Sequence, residues 1–309
     1  MQVPVNLIVS PLNYTGGKYK LLPQILPLFP DEIDTFIDLF CGGCNVAANI
    51  NAKKCICNDE EKHLISLLKK IKSDGADVFS KKIESVIEKY NLSDTTKQKY
   101  DFYGCNSSAG LGKYNRPHFL ELREHFNSIS AADENYYYEF FTLVVYAFNN
   151  QIRFNSAGNY NLPVGKRDFN KKMRNKLIRF ANGIKNKKMK FTNYSFEKLD
   201  LEKLEPDTFI YADPPYLITT ATYNEKKSWT ENEEKKLLAF LDECTKKGIK
   251  FALSNVLSTD GKENQILKNW LAVNNYICHH LNHSYKNSNY HKKENAEKTD
   301  EVLITNYEL

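Results

Sequence analysis

Long apolar runs are missing from this chain of 309 residues. The longest clear one, Phe140 to Phe148, falls well short of the roughly 18 residues that cross a bilayer, so no membrane span is expected. The opening MQVPVNLIVSP has neither a basic leader nor a small-residue cleavage site, so no secretory signal is expected. Cysteine is sparse and odd in number, at seven, which argues against a disulfide framework and for a reducing cytoplasm. No internal repeat and no low-complexity segment stands out.

What is present suits a globular protein. Hydrophobic residues make up 41%, enough for a real core in one large domain or two modest ones. The net charge of +5 is unevenly spread. Between Lys166 and Lys190 stand eleven Lys or Arg and one acid, Asp168, so this stretch carries +10 and the remainder sums to −5. Such a block suits a phosphate backbone, though charge runs also serve only to solvate a helix face.

In chain order, residues 1–12 read as extended. Tyr14-Thr15-Gly16-Gly17-Lys18 then precedes Leu21, Leu22, Ile25 and Leu26 at helical spacing. Paired glycines let the backbone approach a ligand, Lys18 can pair with a carboxylate, and Tyr14 can cover a ring. Residues 34–40 read as a strand, Cys41-Gly42-Gly43-Cys44-Asn45 as a turn, Val46 to Ile50 as a helix, and Lys54 to Asn58 as a strand ending at Asp59. A strand, a glycine turn, a helix and a strand closed by an acid place that acid against ribose hydroxyls. The turn is not G-x-G-x-x-G, so a dinucleotide is not the first choice. Cys41, Cys44, Cys55 and Cys57 could form a thiolate zinc site, but the single-residue gap in the second pair is poor for it, and no metal is expected.

Glu60 to Tyr90 is helical in pattern, as are His118 to Asn127 and, capped by Asp133, Glu134 to about Asn149, whose aromatic stripe reads as helix core. Two alternating segments then flank Ser156-Ala157-Gly158-Asn159, a hairpin signal. The region is rich in side chains that read base edges: Asn150, Arg153, Asn155 and Asn161, running into Lys166 and Arg167. The α/β rhythm returns with strands at Lys190 to Asn193, Phe209 to Ala212 and Ile249 to Ser254. Helices follow at Glu231 to Lys247 and Glu263 to Val273, then paired strands at Tyr276 to Tyr285 and Val302 to Tyr307. Between these last two lies a polar, basic loop, Lys286 to Lys298.

The most informative stretch is Phe209-Ile210-Tyr211-Ala212-Asp213-Pro214-Pro215-Tyr216. Prolines cannot extend a hydrogen-bonded strand, and each stiffens the residue before it. A carboxylate, carbonyls and a ring are thus held at a strand's carboxyl edge, where open α/β sheets bind ligands. Asp213 and the Pro214 carbonyl can accept the hydrogens of an amino group on a flat heterocycle, while Tyr216 covers its face. A plain strand-ending turn would also carry this tetrapeptide.

Taken in order, these residues resemble the Dam-like (D12, alpha) class of adenine-N6 DNA methyltransferases over nearly the whole chain. The family's amino-terminal motif is similar to Tyr14–Lys18, its glycine motif to Asp38-Leu39-Phe40-Cys41-Gly42-Gly43, and its second acid to Asp59. Its hairpin resembles Arg153 to Gly165, its catalytic motif Asp213 to Tyr216, and its last strand the tail Ser288 to Tyr307 with its Lys-Thr-Asp-Glu-Val-Leu-Ile run. Tyr14 stands where Trp is common, and Cys44 where Gly or Ala is common. The resemblance implies a Rossmann-like α/β methyltransferase sheet with an inserted, mainly helical recognition domain carrying a β-hairpin. It divides the chain into residues 1–61 and 174–309 as the catalytic domain and 62–173 as the DNA-recognition domain. The implied methyl donor is S-adenosyl-L-methionine, bound by Tyr14, Lys18, Asp38, Phe40, Gly42, Asp59 and Asp213. The implied catalytic set is Asp213, Pro214, Pro215 and Tyr216. Double-stranded DNA is the implied partner, with a cognate restriction endonuclease as a functional, not physical, companion. A cytoplasmic monomer, at the nucleoid when on DNA, is expected.

No cysteine follows a proline, so the Pro-Cys nucleophile of cytosine-C5 methylation is missing. Protein-glutamine methyltransferases resemble the motif but carry Asn-Pro-Pro-Tyr. A non-catalytic DNA-binding module would keep the hairpin and basic block without needing a donor site. An RNA substrate stays open.

Overall fold

The computed structural model describes residues 6–14, 16–219, 229–282 and 299–309. The expectations for residues 1–5, Thr15, the basic loop 286–298 and the end of the strand expected at Tyr276 to Tyr285 lie outside these residues.

Among the described residues, eight strands form one sheet: β1 (Thr35–Asp38), β2 (Lys54–Asn58), β3 (Met189–Thr192), β4 (Thr208–Ala212), β5 (Lys250–Thr259), β6 (Lys262–Glu263), β7 (Ile277–Leu281) and β8 (Asp300–Thr305). Their order is β3-β2-β1-β4-β5-β8-β7, with the short β6 pairing β5. The first five strands are parallel, and β8 is antiparallel to both β5 and β7. Parallel pairing requires cover on both faces, and the residues alternate to supply it. Phe36, Phe209 and Tyr211 enter one core, whereas Ile37, Ile210 and Ala212 enter the other.

The first face is covered by a 3-10 turn, Lys18–Leu21, running into α1 (Leu22–Ile25), then by α2 (Asn45–Asn49), α3 (Lys62–Lys89) and α6 (Lys171–Lys185). Between α3 and α6 lie α4 (Gly112–Ser128) and α5 (Tyr136–Tyr146). The aromatic stripe of α5 is core, as its spacing suggests: Tyr136, Tyr138, Phe140, Phe141 and Tyr146 are all buried. The second face is covered by α7 (Glu231–Lys246) and α8 (Gln265–Val273). A capping box, Thr230 with Glu233, starts α7, and Gly248 at φ 71° follows its end.

The structure differs from the sequence reading in places. The long helix expected over 60–90 breaks at Gly75, whose φ of 73° is not helical. The helix expected from His118 starts earlier, at Gly112, and contains Pro117. The hairpin over 153–165 is not a regular ladder. It is held by two isolated bridges, Phe154 with Tyr160 and Ala147 with Val164, and by a tight turn in which Gly158 N–H donates to the Asn155 carbonyl at 3.0 Å.

Candidate active site

Strands β1 and β4 are neighbours, and the chain leaves β1 toward β2 on one side and reaches β4 on the other. This is the switch point at which open α/β sheets form a crevice beyond their carboxyl ends. The register pairs Ile37 with Ile210 and Asp38 with Tyr211, so Asp38 and Asp213 end up at the same edge. A cavity of about 750 Å³ opens there, within the size range of small-molecule sites. Its wall includes Tyr14, Lys18, Asp38, Phe40, Gly42, Asp59, Asp213, Pro214, Pro215 and Tyr216. Every residue assigned from sequence to the donor or to catalysis therefore lines one space.

At its floor, Lys18 Nζ pairs with Asp213 Oδ1 at 2.9 Å and donates to the Gly16 carbonyl at 2.8 Å. The lysine head is buried, with 3% of the side chain exposed. The glycine turn holds it there: the Gly17 N–H donates to the Tyr14 carbonyl at 3.1 Å. The Tyr216 hydroxyl lies 3.1 Å from Asp213 Oδ1 and 3.0 Å from Glu301 Oε1, with Lys18 Nζ 4.8 Å from the centre of its ring. Burial raises the Asp213 carboxyl above its ordinary range; the Lys18 charge works against that, and Glu301 adds to it.

The second turn is built around Gly42, at φ 46°. Its N–H donates to Asp59 Oδ2 at 3.0 Å, and a Cβ there would lie 2.9 Å from the Tyr14 ring. Only glycine fits both the angle and the approach. Asp59 also accepts from the Glu61 N–H at 2.9 Å, yet burial lifts its carboxyl to about 6. Asp38 is raised well above the usual carboxylate value, first by burial, then by Cys44 and Asp213. Its Oδ2 is buried without a hydrogen-bond partner. Beneath the turn the Cys44 and Cys57 sulfurs lie 3.6 Å apart. Among the described residues no group of three or more His, Cys, Asp or Glu is arranged to hold a metal.

Sequence reasoning missed two parts of the wall. Phe196 and Trp229 pack against Phe40, one ring tilted and the other edge-on, with ring centres 5.7 Å from it in each case, and form an aromatic slot in the cavity that Asp59 also lines. Trp229 is fixed by donating to the buried Glu234 at 2.6 Å. Neither aromatic stands in a local motif. Glu301 was likewise missed; the acid pair Asp300-Glu301 heading the apolar run Val302-Leu303-Ile304 was the available signal.

The residues singled out for DNA stand apart from this cavity. Asn150 donates to the Val145 carbonyl, Arg153 Nε donates to Asn161 Oδ1 at 2.9 Å, and Asn155 Oδ1 accepts from the Asn159 N–H at 2.9 Å. These side chains brace the hairpin. Lys166 and Arg167 are exposed at its exit. The basic block is not uniformly solvated: Arg174 pairs with Glu84 and with Asp94, the latter at 2.8 Å, and lies over the Phe169 ring. Asp168, the block's one acid, is buried and accepts from the Thr95 N–H at 2.6 Å.

Comparison with known proteins decides the family. Residues 14–299 match the profile of the D12 class N6 adenine-specific DNA methyltransferases. The chain belongs to that family. It is similar to the type II methyltransferase M.FokI of Planomicrobium okeanokoites, 41% identical over 306 residues, and to the modification methylase StsI of Streptococcus sanguinis, 39% identical over 307. The modification methylase LlaI of Lactococcus lactis subsp. lactis is 31% identical over 303 residues. These matches cover 96–97% of this chain but 43% of each relative, so the chain spans less than half of their length. A D12 enzyme's methyl donor, S-adenosyl-L-methionine, fits the residues present. The orphaned Asp38 oxygen offers an acceptor, the aromatic slot a place for a flat ring, and an acid-rich wall with Lys18 already paired suits a cation.

Proposed function

We propose that this D12-family chain transfers a methyl group from S-adenosyl-L-methionine to N6 of an adenine turned out of duplex DNA. The observation that carries the reading is the Lys18–Asp213 pair at the floor of a cavity that also holds Asp38, Gly42, Asp59 and Tyr216. In a stacked duplex the adenine amino group is out of reach of such a recess, so the base must leave the stack. Tyr216 then covers the base, and Asp213 with the Pro214 carbonyl accepts the amino hydrogens. Those bonds orient the nitrogen lone pair away from the acceptors and into the cavity. The donor, when bound, supplies an electrophilic methyl group on a sulfonium. Positioning and carboxylate electrostatics account for the rate, and no covalent enzyme intermediate is required.

Residues 62–173 are assigned to target recognition, with the braced hairpin presenting Asn155 and Arg153, and with Lys166 and Arg167 on phosphates. Phe148, half exposed and followed by two asparagines at positive φ, offers an apolar contact beside them. The modification-methylase names of the relatives support a role beside a restriction endonuclease. The reading includes action in the cytoplasm as a monomer. It is tested by incubating purified protein with unmethylated plasmid and the donor, then mapping N6-methyladenine by long-read sequencing. Methylation at one recurrent motif supports it; no modified adenine together with no donor binding by calorimetry overturns it in favour of a non-catalytic DNA-binding module.

A further inference from the structure

The proposed reaction gives no task to Glu301. This carboxylate sits on β8, opposite Val256 of β5 and Leu281 of β7, and is 1% exposed. A buried acid is costly unless it is paired. Its partners are informative. Glu301 Oε1 lies 3.0 Å from the Tyr216 hydroxyl and 3.6 Å from Lys18 Nζ. The same two groups meet Asp213 Oδ1, at 3.1 Å and 2.9 Å. One ammonium and one phenol are thus shared between two carboxylates. Both of these contacts on Asp213 fall on Oδ1; Oδ2 takes part in neither, and the side chain is 17% exposed.

We propose that Glu301 is a positioning residue for methyl transfer: it draws part of Lys18 and Tyr216 onto its own carboxylate and so keeps Asp213 Oδ2 available for a hydrogen of the target amino group. The inference rests on the function proposed above. Without the Glu301 charge, Lys18 has the Gly16 carbonyl and Asp213 to serve, and it settles onto both oxygens of Asp213. A carboxylate so neutralised accepts a further hydrogen bond weakly. A phenol also carries a single proton. Shared between two oxygens, it fixes the Tyr216 ring beside Asp213; released from one, the ring tilts. The groups facing Asp213 are Lys18 from the turn before α1, Asp38 from β1, Tyr211 from β4, Tyr216, and Glu301 from β8.

The test is Glu301→Gln in the full chain, which keeps the shape and removes the charge. The kcat on an adenine duplex is expected to fall roughly 10- to 100-fold, the size of effect that misplacing a reacting group has. Calorimetric donor affinity is expected to change by less than kcat does, since Glu301 itself is not among the residues that line the cavity. The acid limb of the kcat profile moves to lower pH, because Asp213 loses a negative neighbour. Glu301→Asp keeps the charge but sets it one methylene back from Lys18 and Tyr216, so it returns the limb only part of the way and kcat stays several-fold low. A full kcat, or a lowered kcat with an unmoved acid limb, overturns the inference. If the glutamine variant does not fold, the aspartate variant is scored instead: a several-fold lower kcat supports the role, and a wild-type kcat overturns it. Wild-type protein inactive on adenine DNA refutes the proposed function itself, whereas active wild type with an unaffected Glu301→Gln refutes only the role of Glu301.

Discussion

Replacing Lys18 with Met removes a cation that two carboxylates share while keeping an apolar stem of similar length. At an effective dielectric constant of about 20, unit charges 2.9 Å apart attract by about 6 kcal/mol and those 3.6 Å apart by about 5, before desolvation is counted. Desolvating the lysine offsets much of this, and removing one partner of a buried pair costs about 3–5 kcal/mol in practice. That is a large part of the roughly 5–15 kcal/mol that holds a domain folded. The loss also depends on pH, with a sign that can be worked out. Asp213 already has a raised carboxyl because of burial, and Lys18 acts against that rise. Without Lys18 the folded-state value climbs further above the unfolded one. The folded chain then binds a proton more tightly, so the variant regains stability as pH falls. Urea unfolding followed by tryptophan fluorescence at pH 8 and pH 5 measures both. The expected result is a destabilisation of about 3–5 kcal/mol at pH 8 that shrinks clearly at pH 5. A loss below about 1 kcal/mol at pH 8, or one equal at both pH values, would refute the idea that Lys18 serves the buried carboxylates.

Two further outcomes are expected. Asp59 titrates at about 6 and should hold the donor best when ionised, so donor affinity measured by calorimetry falls as pH drops from 7.5 to 5; in Asp59→Asn the affinity is weaker and flat over that range. Lys166 and Arg167 are exposed, so replacing both with Ala lowers the slope of log K against log salt for duplex DNA by up to about 1.8 while leaving donor affinity alone; an unchanged slope removes them from the DNA interface.

Much of this was readable in the chain. Strand β2 begins and ends where its alternating apolar pattern does, and β4 is the apolar run that the two prolines stop. That these residues line one cavity was readable because glycine turns and strand-ending acids declare themselves locally. Arg174 shows where local reading fails: its partners Glu84 and Asp94 lie 90 and 80 residues away, so a fold-stabilising arginine looks like a phosphate contact. Glu301 fails for a related reason. Its role depends on β8 lying beside β5, which brings it 85 residues back to Tyr216. The hairpin amides looked free because their partners are one another, as in Arg153 with Asn161.

The account turns on Asp213 as the acceptor that presents the target nitrogen. Single-turnover methyl transfer to an adenine duplex by Asp213→Ala, with donor binding measured alongside, tests that directly. The rate is expected to drop by roughly 10²–10³-fold, as when one preorganised polar group is removed from a reacting centre, while the protein still binds duplex DNA. A variant that methylates near the wild-type rate would contradict it.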